Sequence, residues 1–307
     1  MKLARSIFSQ ELHLIFICPA LMWQIIFLFV PLIMLMGYSF MDYLPSQESF
    51  SLTLAYYTQI FDSLYFRVIL RSFWLALATA SICLLIAYPV AYYLAMKGPK
   101  RFKTFLLFSL ILPSWTSLIV QIYAWFFLLE KNGFVSRALQ AVGLISPQTH
   151  LLNNYFAITL GMISCYLPFM ILPLYAVLEK IDKRYLEASA DLGANRVQTF
   201  KRIVVPLSLP GVYAGFMLVF IPAFGEFAIP LLLGGSKHLF WGSVIVDKFL
   251  QSRDWHSGAA LTLVGIMLPI TLLVTLYLIK TLTKKVRERN NINVDYHRNH
   301  PLKDSWT

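Results

Sequence analysis

Six long apolar stretches separated by polar connections dominate the pattern of hydrophobic and polar positions along the chain. They lie at about 14–40, 71–96, 104–129, 155–178, 212–233 and 258–279. Each is long enough to cross about 30 Å of hydrocarbon as a helix. The pattern therefore predicts an all-α polytopic membrane protein with six transmembrane helices, forming one domain over residues 1–307.

Prolines and polar residues interrupt two of these stretches. Pro19 and Pro31 would kink the first helix or mark where it starts. The sequence Leu-Pro-Ser-Trp-Thr-Ser at 112–117 places a polar and aromatic interruption inside the third span. The outer connection 130–154 has room for a short amphipathic helix.

Charge is segregated along the chain, and its placement orients the spans. Of the 307 residues 58% are hydrophobic and 13% are charged, and the net charge is +11. When alternate connections are assigned to alternate sides, 19 of the 26 lysines and arginines fall on one side. This positive-inside bias predicts that both termini are cytoplasmic. Basicity of this kind indicates topology and contact with membrane lipid, not nucleic-acid binding.

The long connection between the fourth and fifth spans, 179–211, is polar yet patterned as two short helices. Asp182 can cap the first helix, and Gly193 suits the left-handed stop that follows it. Asn195 and Gln198 fit a capping box that opens the second helix. Pro206 is predicted to end it.

Small residues on the first of these helices predict a docking surface. Ala188, Ser189 and Ala190 leave room for another protein to approach closely. Glu187 has two interpretations, a solvated charge that stabilises its own helix or a polar anchor in a partner's cleft. The length and ordered caps of this connection favour the partner.

Glu226 is the single unambiguous charge in the middle of a span. An ionised carboxylate facing lipid costs a few kcal/mol or more, so the side chain should face the protein interior or a wet path. It is interpreted either as a cation-attracting group in a translocation pathway or as a buried carboxylate bonded to neighbouring helices. Gly225 and Pro230 predict an irregular helix here, which is typical of backbone that lines a cavity. Nearby, Gly211 and Gly215 would permit close helix packing.

Aromatic residues of the third span offer a second candidate. Trp115 and Tyr123, with Thr116 and Trp125, could form an aromatic wall that attracts a cationic solute through the ring faces. The alternative is ordinary packing together with an interfacial aromatic belt.

Enzyme chemistry finds little support. There is no complete phosphate loop, nucleophile elbow or paired intramembrane carboxylate, and His297 and His300 lack partners for a metal shell. The three cysteines lie in apolar spans and are read as packing residues. We therefore predict no catalytic residue, no metal and no cofactor in this chain.

The connection 179–211 resembles the cytoplasmic signature of permease subunits from type I ATP-driven (ABC) importers. The matching residues are Glu187-Ala188-Ser189, Gly193, Ile203 and Val205-Pro206. Ser replaces the family's second Ala, and Val replaces its Leu.

Further segments across nearly the whole chain look like the polyamine importers. These are 112–116, 168–170, 186–194, 221–227, 233–235 and 253–255. Among these importers the putrescine system is the most similar and the spermidine system the next. The resemblance implies a type I ABC importer permease fold and a permease subunit that carries polyamine across a bacterial inner membrane.

The same resemblance implies a division of labour. Two copies of a cytoplasmic ATPase subunit would bind ATP and Mg, a second homologous permease would complete the pathway, and a periplasmic binding protein would deliver the solute. The residues that would couple to the ATPase are Glu187, Ala188, Ser189, Asp191, Gly193, Ala194 and Pro206. The pathway would include Glu226, Trp115 and Tyr123.

Two alternatives remain open. One is a permease of the same superfamily for another small solute. The other is a stand-alone ion-coupled secondary transporter, which predicts inverted repeats, broken helices in matched halves and paired midplane charges. Neither the repeats nor the charge pairs are evident in the sequence.

Overall fold

The computed structural model describes residues 2–44, 49–146, 148–235, 238–272, 274, 275 and 278, and these are mostly helical. The helices are α1 Lys2–Phe40, α2 Ala55–Thr58, α3 Ser63–Met96, α4 Lys100–Ile111, α5 Leu118–Leu129, α6 Phe134–Ala141, α7 Tyr155–Leu178, α8 Lys183–Asp191, α9 Arg196–Thr199, α10 Val205–Gly225, α11 Ala228–Gly234, α12 Trp241–Val246 and α13 Trp255–Leu272. Strands β1 Met41–Leu44 and β2 Ser49–Leu52 pair as an antiparallel hairpin. The predicted basic tail 280–307 lies outside the described residues.

Six helical stretches are long and apolar enough to cross a membrane, which confirms the predicted architecture. They are Ile17–Phe40, Ser63–Met96, Leu118–Ala141, Tyr155–Leu178, Arg196–Gly225 and Trp255–Leu272. The fourth coincides with the predicted span. The others start or end several residues away from the predicted boundaries.

The helices of the first two spans begin earlier than predicted. Helix α1 begins at Lys2 and continues through Pro19 and Pro31, so neither proline marks its start. Helix α3 begins at Ser63 instead of residue 71 and includes Arg67. The Nε of Arg67 donates a hydrogen bond to the Ser63 carbonyl, one turn earlier, at 3.0 Å. A long cationic side chain can lie along a helix end with its charge in water, so it does not end the helix.

The predicted third span, 104–129, is broken. Helix α4 gives way to a 3₁₀ turn at Leu112–Trp115, and α5 starts at Leu118. Pro113 has no backbone N–H to continue an α-helix. The Thr116 hydroxyl donates to the Pro113 carbonyl at 2.6 Å, and the Gln121 amide donates to Thr116 Oγ1 at 3.1 Å. The predicted interruption is confirmed, and the short helix expected in 130–154 is α6.

The chain divides into two compact units, Met41–Gly258 and Met1–Phe40 with Ala259–Thr307. The single domain predicted over 1–307 stays a prediction. Within Met41–Gly258, helices α3, α7 and α10 pack against one another and supply most of the buried apolar side chains.

Small residues let these core helices approach closely. A Cβ on Gly211 would lie 3.0 Å from the Val177 Cβ, and one on Gly215 would lie 2.9 Å from the Met170 sulfur. Both neighbours belong to α7. The predicted glycine pair is therefore confirmed as a close contact between α10 and α7.

Contacts between connections agree with the predicted sides of the membrane. Lys103, at the turn before the third span, forms an ion pair with Glu179 at the start of 179–211. This hydrogen bond is the main reason that the pKa of Glu179 lies below its usual value and the pKa of Lys103 above its own. At the other end, the Asn153 N–H donates to the Leu233 carbonyl at 2.8 Å.

Candidate functional site

Glu226 lies at a break between two helices instead of inside one. Helix α10 ends at Gly225, the Glu226 backbone is extended (φ −66°, ψ 131°), and α11 starts at Ala228. Glycine weakens the helix before the break, and Pro230 is tolerated because its missing N–H falls in the first turn of α11. The predicted irregularity is confirmed, and the predicted fifth span, 212–233, covers two helices.

The Glu226 side chain is folded back onto the start of α11. Its Oε1 accepts hydrogen bonds from the backbone N–H groups of Phe227 at 3.0 Å and Ala228 at 2.9 Å. The first N–H groups of a helix have no partner within that helix. The carboxylate supplies that partner and is held in place by it.

Tyr166 provides the third hydrogen bond to Glu226. It extends from the middle of α7, and its hydroxyl donates to Glu226 Oε2 at 2.6 Å. Both side chains are only 8% exposed. Among the described residues no lysine, arginine or histidine forms an ion pair with Glu226. The carboxyl group is thus buried and hydrogen-bonded, and it forms no ion pair with a cationic side chain in the described part of the chain.

Helix α12 closes over the break. The Trp241 N–H donates to the Ser72 hydroxyl of α3 at 2.7 Å. A Cβ on Gly242 would lie 2.9 Å from the Gly225 carbonyl carbon and 3.0 Å from the Glu226 carbonyl oxygen. Only glycine allows this approach of backbone to backbone, so α12 packs directly on the residues that flank the carboxylate.

The two predicted aromatic pathway residues lie apart from this cluster of bonds. Trp115 is 75% exposed in the 3₁₀ turn and packs edge-on against Phe108, with ring centroids 6.1 Å apart. Tyr123 is exposed on α5 and stacks with Phe127. Neither bonds to Glu226, although α5 packs against α11. Their predicted role as an aromatic wall for a cationic solute stays a prediction.

The predicted local structure of the connection 179–211 is confirmed at its caps. Asp182 accepts a hydrogen bond from the Arg184 N–H at 3.0 Å, and Asn195 and Gln198 form a complete capping box. Gly193 has a φ of +78°. The N–H groups of Gly193 and Ala194 bond back to α8 in the pattern of a Schellman motif.

Ser189 differs from its predicted place on the docking surface. It is 6% exposed, and its hydroxyl donates to the Leu186 carbonyl at 2.8 Å and shares a hydrogen bond with the Thr199 hydroxyl at 2.8 Å. Ser189 therefore joins α8 to the end of α9. The hydroxyl that distinguishes it from alanine has a structural partner inside the connection.

The outward surface of the connection is formed by other residues. Glu187, Ala188 and Asp191 are exposed, together with Ala190 and Gly193, whereas Ala194 is half-buried. Leu192 is 89% exposed, and Tyr185 and Val197 are also largely exposed. Three large apolar side chains are therefore exposed on an otherwise polar connection. Leu192 was missed by the sequence analysis.

Pro206 does not end the second helix as predicted. A π-helical turn at Phe200–Val204 leads directly into α10, and Pro206 is exposed in the first turn of that helix. A π-turn is one of the irregularities that redirect a helix without ending it. The ring of Phe200 packs edge-on against Tyr88 and Tyr92 of α3, with ring centroids 5.6 Å away in each case.

Helical structure is therefore continuous from the connection to the break. It runs from Arg196 to Gly225, 30 residues, which corresponds to about 45 Å at 1.5 Å per residue. It begins within the connection, directly after α8 and Leu192, and it ends beside Glu226.

Residues 87–288 match the family model described as binding-protein-dependent transport system inner membrane component. The chain is 40% identical over 268 residues to the spermidine/putrescine transport system permease protein PotB of Escherichia coli K12, covering 86% of this chain and 96% of that protein. It is 38% identical over 273 residues to PotB of Haemophilus influenzae, with coverage of 89% and 95%. It is also 36% identical over 262 residues to the inner membrane ABC transporter permease protein YdcU of E. coli, with coverage of 81% and 83%.

A solved structure shares the fold. The match is to a chain of a bacterial ABC transporter that imports the acidic polysaccharide alginate, with a TM-score of 0.66 and 19% identity over 93% of this chain and 99% of that one. A crystal structure of the alginate transporter with its oligosaccharide-bound periplasmic protein gives the same TM-score at 18% identity, with coverage of 90% and 96%. At this identity the likeness concerns the fold alone.

Proposed function

Because the chain belongs to the family of binding-protein-dependent transport system inner membrane components, we propose that it is a permease subunit of an ATP-driven polyamine importer. Identity of about 40% over nearly the full length of spermidine/putrescine permeases supports polyamine as the solute. The structural observation that carries the proposal is Glu226, a buried carboxylate without a cationic partner among the described residues.

The position of Glu226 suits a cationic solute. A buried carboxylate without a compensating cation is costly, and its burial becomes favourable when a cation arrives. Backbone at a helix break is typical of membrane sites that line a cavity. An ammonium group of a polyamine would supply the missing charge while it passes.

The chemistry of ATP hydrolysis is assigned to a partner. Two copies of a cytoplasmic ATPase subunit would grip the connection 179–211 through Glu187, Ala188 and Asp191, with Leu192 as an apolar contact. A second, homologous permease would complete the pathway, and a periplasmic binding protein would deliver the polyamine. Both termini are assigned to the cytoplasm, on the side of the connection.

The helical continuity from Arg196 to Gly225 supplies the coupling. Closure of the ATPase subunits on ATP would displace α8 and α9, and α10 would carry that displacement to the break at Glu226. The transition needs only two packings of similar free energy, which ATP on one side and the loaded binding protein on the other would bias.

The test is uptake of labelled putrescine and spermidine into proteoliposomes that contain the assembled complex, with binding protein outside and ATP inside. We expect ATP-dependent polyamine uptake that falls about tenfold or more in Glu226→Gln, since a hydrogen bond to a charged group is worth about 1.5–3 kcal/mol. Complex assembly should survive, because glutamine keeps an oxygen that can accept the N–H groups of Phe227 and Ala228.

The matched control is Glu179→Gln, which removes an exposed carboxylate outside the pathway and should leave uptake near wild type. Absence of polyamine uptake, with ATPase activity that still responds to another loaded binding protein, would exclude polyamine as the solute. Equal loss of uptake and of assembly in Glu226→Gln would assign Glu226 a structural role only.

A further inference from the structure

The two oxygens of Glu226 are held in different ways. Oε1 accepts the backbone N–H groups of Phe227 and Ala228, at the start of the helix that Glu226 introduces. Oε2 accepts one side-chain hydroxyl, that of Tyr166 on α7, at 2.6 Å. One oxygen is thus fixed by the local backbone, whereas the other depends on a single side chain 60 residues away.

We propose that Tyr166 is the exchangeable partner of Glu226, and that an ammonium group of the solute displaces its hydroxyl from Oε2. This proposal rests on the polyamine transport proposed above. While the pathway is empty, Tyr166 satisfies Oε2. When the cation binds, the bonds from Phe227 and Ala228 keep the carboxylate in place. A primary ammonium group then donates to Oε2 in place of Tyr166.

The exchange is favourable because the two donors differ in charge. The bond from Tyr166 already has a carboxylate as its acceptor, so the gain comes from the positive charge of the ammonium group, which supplies the charge compensation that the Tyr166 hydroxyl cannot. All three present partners of Glu226 donate hydrogen bonds, so an incoming donor such as an ammonium group can take the place of one of them.

The surroundings of Tyr166 suit an ammonium group that has displaced the Tyr166 hydroxyl. Its ring lies 6.4 Å from the ring of Phe169 on the same helix, with a tilt of 53° between the planes, and Phe169 is exposed. Ring faces attract cations within about 6 Å. After the exchange, the Tyr166 and Phe169 rings would flank the ammonium, so Tyr166 would act both as a competitor and as part of the cation site.

Tyr166→Phe separates these two roles. The substitution keeps the ring and removes the competing hydroxyl, so we expect putrescine to bind the complex about tenfold more tightly or better, the equivalent of one hydrogen bond to a charged group. Tyr88→Phe is the matched control, because the Tyr88 hydroxyl also bonds across helices, to Ser208 at 2.9 Å, without contacting Glu226. It should leave the affinity unchanged.

The measurement is labelled putrescine binding to the assembled complex in nanodiscs, without binding protein or nucleotide, combined with infrared difference spectra of the carboxylate stretch. We expect a putrescine-induced band in wild type that is absent in Glu226→Gln, and in Tyr166→Phe a carboxylate band that is already shifted before putrescine is added. Wild-type affinity and an unshifted band in Tyr166→Phe would overturn the exchange. So would loss of binding in that variant equal to the loss in Glu226→Gln.

A second probe needs no substitution near the site. Putrescine with fully methylated nitrogens carries the same charge but has no N–H to donate to Oε2, so it should displace labelled putrescine much less effectively than unlabelled putrescine at matched concentration and should not shift the carboxylate band. Displacement as strong as that by putrescine would overturn the proposal. If wild-type complex takes up no polyamine at all, the proposed function fails. If the wild-type complex takes up polyamine but putrescine binding is unchanged in Tyr166→Phe, the proposed exchange is wrong and the proposed function stands.

Discussion

Gly242→Ala is expected to disturb the Glu226 break through backbone alone. The new Cβ would lie 2.9 Å from the Gly225 carbonyl carbon, 3.0 Å from the Glu226 carbonyl oxygen and closer still to the Gly225 carbonyl oxygen. These atoms cannot rotate away as the end of a flexible side chain could. Extra volume in a close-packed site costs about 1–3 kcal/mol, so α12 or the break must shift.

Gly225→Ala is the matched control for this prediction. A Cβ on Gly225 would have no atom within 4 Å beyond its chain neighbours and the backbone of its own helix, so its effect should stay within about 1 kcal/mol. The assay is the thermal midpoint of the purified complex together with ATP-dependent uptake. We expect Gly242→Ala to lower the midpoint by several degrees and to reduce uptake, and Gly225→Ala to do neither. A wild-type midpoint in Gly242→Ala, or an equal loss in both variants, would refute the direct contact of α12 with the break.

Two further predictions concern the predicted cytoplasmic side. Glu187→Arg changes only an exposed charge on α8, so membrane insertion should be normal. Stimulation of ATPase activity by loaded binding protein should be lost. Wild-type stimulation in this variant would exclude the docking role of Glu187. Glu179→Gln should lower the thermal midpoint slightly at neutral pH, since the lowered pKa of Glu179 means that its bond to Lys103 stabilises the fold above the usual value of 4.5. That difference in thermal midpoint should vanish as pH falls through the lowered pKa of Glu179. It is small because the ion pair is partly exposed. A difference that persists or grows in acid would contradict a stabilising bond between Glu179 and Lys103.

The number of spans and the caps of 179–211 could be predicted because both depend on neighbouring residues. The lengths of apolar stretches indicate six crossings, and Asp182, Asn195 and Gln198 cap helices within three residues of themselves. Ser189 shows the limit of such local rules. Its small side chain and the polar stretch around it predict an exposed residue. It is buried instead, and its hydroxyl bonds to Thr199, ten positions away.

Breaks and long-range partners were harder to predict. Pro206 was predicted to end a helix, yet the π-turn before it keeps the chain helical and the proline lies in the first turn of α10. The break at Glu226 could be anticipated from Gly225 and Pro230, but its partner Tyr166 lies in an apolar run of α7 with no local sign of its role. Such pairs follow from the packing of α7 against α10, which periodicity alone does not predict.

That packing also links the connection to the carboxylate. Tyr166 belongs to α7 and Glu226 follows α10, so any sliding or rotation of one helix against the other changes the distance between the hydroxyl and Oε2. Gly211 and Gly215 bring the two helices into backbone contact along that interface, and close-packed interfaces move between discrete packings instead of deforming continuously. A shift imposed on α9 by a partner would therefore reach Oε2 as the making or breaking of one hydrogen bond. The same bond is the one that an arriving ammonium group must replace, so solute and partner would act on a single contact from opposite ends of α10.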